Sequence, residues 1–234
     1  MSVRINEDLL AALEDLYRVF ADRRPNGQVD ASPLKDAERI AQLTASPLRD
    51  VPASVIEYYV DGALWTIGDA RDFLHFLPRA LEVAVREPGL GDPLLVATKL
   101  TMVPAADWAD PKRSTVITFY QRATHAAAIT NPAKSIAVID WLHGCGVLGL
   151  PAAPLLAEWL RTPYLNATLQ MATAITQQVP MHIARGDWND VDPAFAAAVA
   201  DWIGGTAVQE RMLADLDRLD AGGRDLVETA FMYL

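Results

Sequence analysis

DARDFLHFLPRALEVAV, residues Asp69 to Val85, carries the pattern that decides the fold. Its apolar residues Phe73, Leu74, Leu77, Leu81 and Val85 recur at spacings of three and four, which places them on one face of a helix. Asp69 stands where an N-cap belongs, ready to accept a hydrogen bond from the first free backbone amides. Pro78 lies inside the pattern and lacks an amide hydrogen, so a kink is expected near Leu74.

The same spacing recurs on both sides of this stretch. Upstream, Val55, Ile56, Tyr59, Val60, Ala63 and Leu64 form one face, and Leu9, Leu13, Leu16 and Phe20 form another behind an Asn6 cap. Ser32-Pro33 predicts a cap and a first helical residue, with a short helix running to about Leu43. Downstream, Pro88, Gly89, Gly91 and Pro93 make the clearest break, and helix resumes at Leu94. Ser114 to Tyr120 is rich in β-branched residues, as a strand would be. The Asp110-Pro111 start and the alanines through Ala128 favour helix there. Asn131-Pro132, Pro151, Pro163, Asp192-Pro193 and Gly204-Gly205 divide the remainder into further helices, the last carrying Leu226, Val227, Ala230, Phe231 and Leu234.

The expected fold is therefore all-α: a single domain over residues 1–234 of about twelve helices in antiparallel hairpins, with a sub-lobe boundary near 88–93 as an option. Ala157-Glu158-Trp159-Leu160 and Ala200-Asp201-Trp202-Ile203 repeat a small–acid–tryptophan–aliphatic pattern 43 residues apart, echoed by Asp140-Trp141-Leu142. A period near 40 is that of stacked HEAT or armadillo hairpins, so a short HEAT-like helical repeat is one form the fold could take.

Composition narrows function by exclusion. With 51% hydrophobic and 21% charged residues the chain is globular, and 234 residues suffice to bury a core without metal or disulfide. A formal charge of −10 speaks against nucleic acid or anionic membrane as partner and suits a basic protein. Acidic residues interrupt the N-terminal apolar run, so a secretory signal is not expected, nor is a membrane span. The lone Cys145 cannot form an internal disulfide. These readings point to the cytoplasm.

Three motifs invite chemistry. Gly144, Gly146 and Gly149 match the spacing of a dinucleotide-binding loop, but no acidic residue lies about 20 positions on and no βαβ pattern surrounds them. A glycine-rich helix end is the better reading. Asp187-Trp-Asn-Asp-Val-Asp192 suggests a calcium loop, yet Val191, Asp192 and Ala198 stand where such a loop needs a ligand, a glycine and a glutamate. A turn with Asp192 capping the helix at Pro193 fits better. Asp72 and His75, and Asp140 and His143, are spaced to meet on a helix, but no zinc-binding histidine pair or nucleophile elbow is present. No metal or cofactor is called for.

The segment from Asp15 to Arg86 resembles an uncharacterised family of all-helical bacterial proteins. Leu16-Tyr17-Arg18-Val19-Phe20, Ser46-Pro47-Leu48-Arg49, Trp65-Thr66-Ile67-Gly68-Asp69 and the run Asp72 to Arg79 carry the resemblance, and Asp201-Trp202-Ile203 through Val208-Gln209-Glu210-Arg211 is similar as well. It implies an all-helical fold and supplies no activity. Members often place a cysteine cluster in the loop after the first helix, and Pro25 to Ala31 has none, so a metal role does not carry over.

Asp72, His75, Arg79 and Glu82 form a polar helical stripe near Trp65, and this is where a site would be sought. The alternative, which the spacing favours, is that these groups pair with one another and hold the helix in place. The functional expectation is a non-catalytic interaction module for a protein partner. The competing expectation is an enzyme or small-molecule binder with a pocket near Asp72, His75 and Arg79.

Overall fold

The periodic faces become helices in the structure, a computed structural model that describes residues 6–23, 25, 27–87, 89–134 and 137–234. Among the described residues there are thirteen α-helices, four 3-10 turns and no strand. The all-α expectation holds, and Ser114 to Tyr120 lies inside a helix. No helix among the described residues is long and apolar enough to cross a membrane.

The chain forms two compact units, one up to Arg122 and one from Ala123 to Leu234. The break at 88–93 falls within the first unit; Pro88 itself lies outside the described residues.

The first unit contains α1 (Glu7–Val19), α2 (Ala37–Gln42), α3 (Ala53–Gly62), α4 (Ala70–Arg86), α5 (Pro93–Met102) and the start of α6 (Lys112–Ile129). Helix α4 packs on α1, α3 and α5. It can do so because it is apolar on more than one side: Phe73, Leu74, Phe76, Leu77, Leu81 and Val83 are all buried. A helix apolar around most of its circumference belongs in an interior. Asn6 caps α1 by accepting from the Leu9 amide at 2.8 Å. One boundary differs from expectation. Residues 33–35 form a turn, and α2 starts at Ala37 because Asp36, not Ser32, accepts the Glu38 and Arg39 amides. Asp exceeds Ser in charge at a positive helix end, and it wins the cap.

Between α3 and α4 the chain reverses sharply. Leu64 and Gly68 both take left-handed backbone, with φ of 64° and 62°. Ile67 bridges to Ala31 and Ala63, and the Gly68 amide donates to the Asp30 carbonyl at 2.7 Å. The turn holds Trp65 outward, 62% exposed.

The second unit contains the end of α6, then α7 (Val138–Val147), α8 (Ala152–Arg161), α9 (Leu165–Thr176), α10 (Val179–Arg185), α11 (Pro193–Ile203), α12 (Thr206–Asp215) and α13 (Ala221–Phe231). Helix α9 is its centre, packed on α10, α11, α12 and α13. Gly144 to Gly149 forms the end of α7 and its exit turn, with Gly149 at φ 78°. Within α7, a Cβ on Gly146 would meet the Phe195 ring at 2.7 Å, so this glycine lets the two elements approach. Trp159 of α8 and Trp202 of α11, the residues of the sequence echo, lie with ring centroids 4.8 Å apart. At the chain's end, Val227 and Ala230 are buried in α13, while Leu234 lies beyond it and is exposed.

Candidate functional site

Helix α4 starts with a reciprocal cap. The Asp69 carboxylate accepts from the Arg71 and Asp72 amides at 2.8 and 3.0 Å, and Asp72 accepts from the Asp69 amide at 3.2 Å. Burial pushes the Asp72 carboxyl above its ordinary range; the Asp69 amide bond opposes this, and the charges of Asp69 and Asp30 add to it.

One turn later His75 turns to a different neighbour. Its Nδ1 lies 2.7 Å from the Arg23 carbonyl oxygen, and since that oxygen can only accept, Nδ1 is the protonated nitrogen. The ring meets Phe76 edge-on at 4.7 Å.

Arg79 and Glu82 belong to a third arrangement. Arg79 donates Nε–H to the Val51 carbonyl at 3.1 Å and a terminal N–H to Glu82 at 2.8 Å. Glu82 also accepts from the Tyr17 hydroxyl at 2.6 Å and from Arg86 at 2.8 Å. Burial alone would raise its carboxyl, but the bonds from Tyr17 and Arg79 outweigh it and hold the group below its ordinary range. Desolvation, and the hydrogen bond to Glu82, push the Tyr17 phenol upward, so it stays protonated as the donor. Against the Tyr17 ring lies the Arg49 guanidinium, 3.8 Å from its centroid and bound to both oxygens of Glu14 at 2.8 and 2.6 Å.

Two clefts open beside these groups. The larger, about 1000 Å³ and open to solvent, runs between α1 and the 43–50 segment; Tyr17, Arg23, Leu48, Arg49, His75 and Pro78 are among its lining. The smaller, about 390 Å³, is lined by the 30–32 and 65–69 segments and by Asp72. The ring of Trp65, one of its lining residues, also covers Lys99, whose ammonium lies 3.3 Å from the ring centroid and donates to the Ala63 carbonyl at 2.5 Å. Desolvation lowers the Lys99 pKa, and the charge of Asp61 opposes that shift.

The five residues singled out by sequence are thus divided. Trp65 and Asp72 line the smaller cleft, His75 lines the larger, and Arg79 and Glu82 line neither. Their helical stripe is real, but it fans out over three surroundings. The reading missed Glu14, Tyr17, Arg23, Arg49 and Asp30. Two signals were available: Tyr17 and Arg49 each sit in a motif that carries the family resemblance. Asp30 and Arg23 lie in an irregular loop, where spacing says nothing about neighbours.

The other motifs take structural places. Cys145 is buried, and desolvation pushes its thiol up to about 12, which removes it as a nucleophile near neutral pH. His143 pairs with Asp190 at 2.7 Å and stacks on Trp188. Asp192 caps α11 through the Ala194 amide at 2.7 Å, as expected of it. No group of three or more metal-binding side chains gathers among the described residues. No family model, curated protein or solved structure matches the chain.

Proposed function

We propose that the chain is a non-catalytic interaction module, working in the cytoplasm, whose first unit receives a segment of a basic protein partner in the larger cleft. The observation that carries this is the character of that cleft. At about 1000 Å³ it matches the upper end of ligand sites in volume. Yet it is open, and small-molecule sites bury most of their ligand. Of its charged side chains, Arg49 is already paired with Glu14, and Arg18 with the neighbouring Asp15. A wall of this kind offers shape, apolar loop surface and hydrogen bonds to a chain segment, rather than converging groups for a reaction. The formal charge of −10 favours a basic partner through long-range attraction. The close packing of Trp159 on Trp202 supports a helical-repeat origin for this architecture, an ancestry suited to binding surfaces.

The enzyme or small-molecule reading loses support because Asp72, His75 and Arg79 face different neighbours. Affinity co-purification with mass spectrometry separates the two. Thr44 is exposed on the larger cleft, so Thr44→Arg sets a long charged side chain into it without disturbing the core. A stoichiometric basic protein recovered with the wild type should be lost with Thr44→Arg at unchanged melting temperature. Recovery of a stoichiometric small ligand without protein would overturn the proposal, as would capture indifferent to Thr44→Arg.

A further inference from the structure

We propose that Trp65 and Lys99 of the first unit form a pH-sensitive latch: the Lys99 ammonium holds the Trp65 ring down over itself, and loss of its proton lets the ring swing away and reshapes the smaller cleft. The device does not depend on the interaction reading above, since it concerns one wall of a cleft that Trp65 lines.

Lys99 is wholly buried on α5, yet it forms no ion pair with a carboxylate among the described residues. Its ammonium donates to the Ala63 carbonyl at 2.5 Å and lies 3.3 Å from the centroid of the Trp65 ring. A charge taken out of water without an opposite charge beside it is costly, and shedding the proton relieves that cost. The fold thus keeps a cation close to neutralising, with an aromatic face as its cover.

Trp65 is suited to be a moving cover. Its backbone is fixed: the Trp65 and Thr66 amides donate to the Gly62 carbonyl at 3.2 and 2.8 Å, and Ile67 bridges to Ala31 and Ala63. Its side chain is held far less, because the residue is 62% exposed and little apolar burial retains the ring. Attraction between the ammonium and the ring face is what keeps it in place. A neutral amine still donates to Ala63 but loses that attraction. The motion is therefore a side-chain rotation, with the turn itself unchanged.

The charges around Lys99 act in both directions. Asp61, at the end of α3, favours the ammonium, and Lys35, in the turn before α2, disfavours it. The buried acids of α4, which also packs on α5, are engaged elsewhere: Asp72 with the Asp69 amide, and Glu82 with Tyr17, Arg79 and Arg86. Desolvation is the largest effect and lowers the Lys99 pKa. A lysine lowered in the folded state adds stability as pH rises from that value to the ordinary one, about 10.4. Latch opening and alkaline unfolding therefore carry opposite signs.

Fluorine NMR of the full chain labelled with fluorotryptophan tests this, the Trp65 resonance being assigned with Trp65→Phe. Between about pH 7 and about pH 10.5 that resonance should titrate with a midpoint below the ordinary lysine value. Its water–heavy water isotope shift, which grows with solvent exposure, should rise through the same midpoint. Lys99→Met, which keeps an apolar chain in the buried site, should show the open isotope shift at every pH. Asp61→Asn, at an exposed position, should move the midpoint lower still. The melting temperature of the wild type relative to Lys99→Met should rise over the same interval. No titration below the ordinary lysine value, a titration that leaves the isotope shift flat, or a Lys99→Met protein that titrates with the wild-type midpoint overturns the inference.

Discussion

Glu82 shows how differently charged pairs weigh when their surroundings differ. Its side chain is 10% exposed and bonds three donors, Tyr17, Arg79 and Arg86. The Arg49–Glu14 pair has equally short bonds but is about half exposed on both sides. Solvent screens the second pair and leaves the first to act at close range. Glu82→Gln should therefore destabilise the fold by about 2–3 kcal/mol, since it strands Arg79 with no carboxylate partner in a largely dry place. Glu14→Gln should cost no more than about 1 kcal/mol. Urea unfolding of both variants checks the ratio, and equal losses would refute the role assigned to Glu82. The same contrast bears on the sequence stripe. Arg79 and Glu82 were spaced as neighbours, and they are. What the spacing could not convey was Tyr17, which reaches Glu82 from 65 positions away.

Elements were more legible than the contacts between them. The caps at Asn6, Asp69 and Asp192 follow from local rules, because a capping side chain bonds amides only two or three residues on. Ser32-Pro33 met the same rule and lost to Asp36, a competition between two local candidates that only the packed chain resolves. The Gly144–Gly149 motif shows the opposite limit. Its spacing was visible, but the reason for Gly146 is Phe195, 49 residues away, which no local pattern encodes. Alanine favours helix over glycine by about 1 kcal/mol, so propensity alone predicts that Gly146→Ala stabilises α7. Packing predicts the reverse: the new methyl would meet Phe195 at 2.7 Å and Val191 at 2.9 Å. Overpacking of this kind outweighs propensity, and a net loss of about 1–2 kcal/mol is expected. Thermal melting of Gly146→Ala decides the sign.

Across the whole molecule, buried carboxylates set the response to acid. Among the described residues each unit has one buried carboxylate held below its ordinary range: Glu82 in the first and Asp215 in the second. At Asp215 burial pushes upward, and the bonds from Thr168 at 2.5 Å and Arg211 at 2.6 Å prevail. A carboxylate lowered in the folded state contributes stability that is fully present above its unfolded pKa and is lost as pH falls through the folded one. Asp72 works in the other direction. Its folded pKa is raised, so its contribution is present at low pH and is lost as pH rises through the raised value. The two buried lowered groups, with six donors between them against one cap for Asp72, decide the net sign. The melting temperature should therefore fall between about pH 5 and pH 2. Glu82→Gln should flatten part of that fall, because a glutamine has no proton to gain, and Asp215→Asn should flatten another part. Asp72→Asn, which keeps an acceptor for the Asp69 amide, should steepen it instead by removing the one group that gains on protonation. Melting curves of the three variants across this range, by circular dichroism, read the signs directly, and a steeper fall in Glu82→Gln would reverse the assignment.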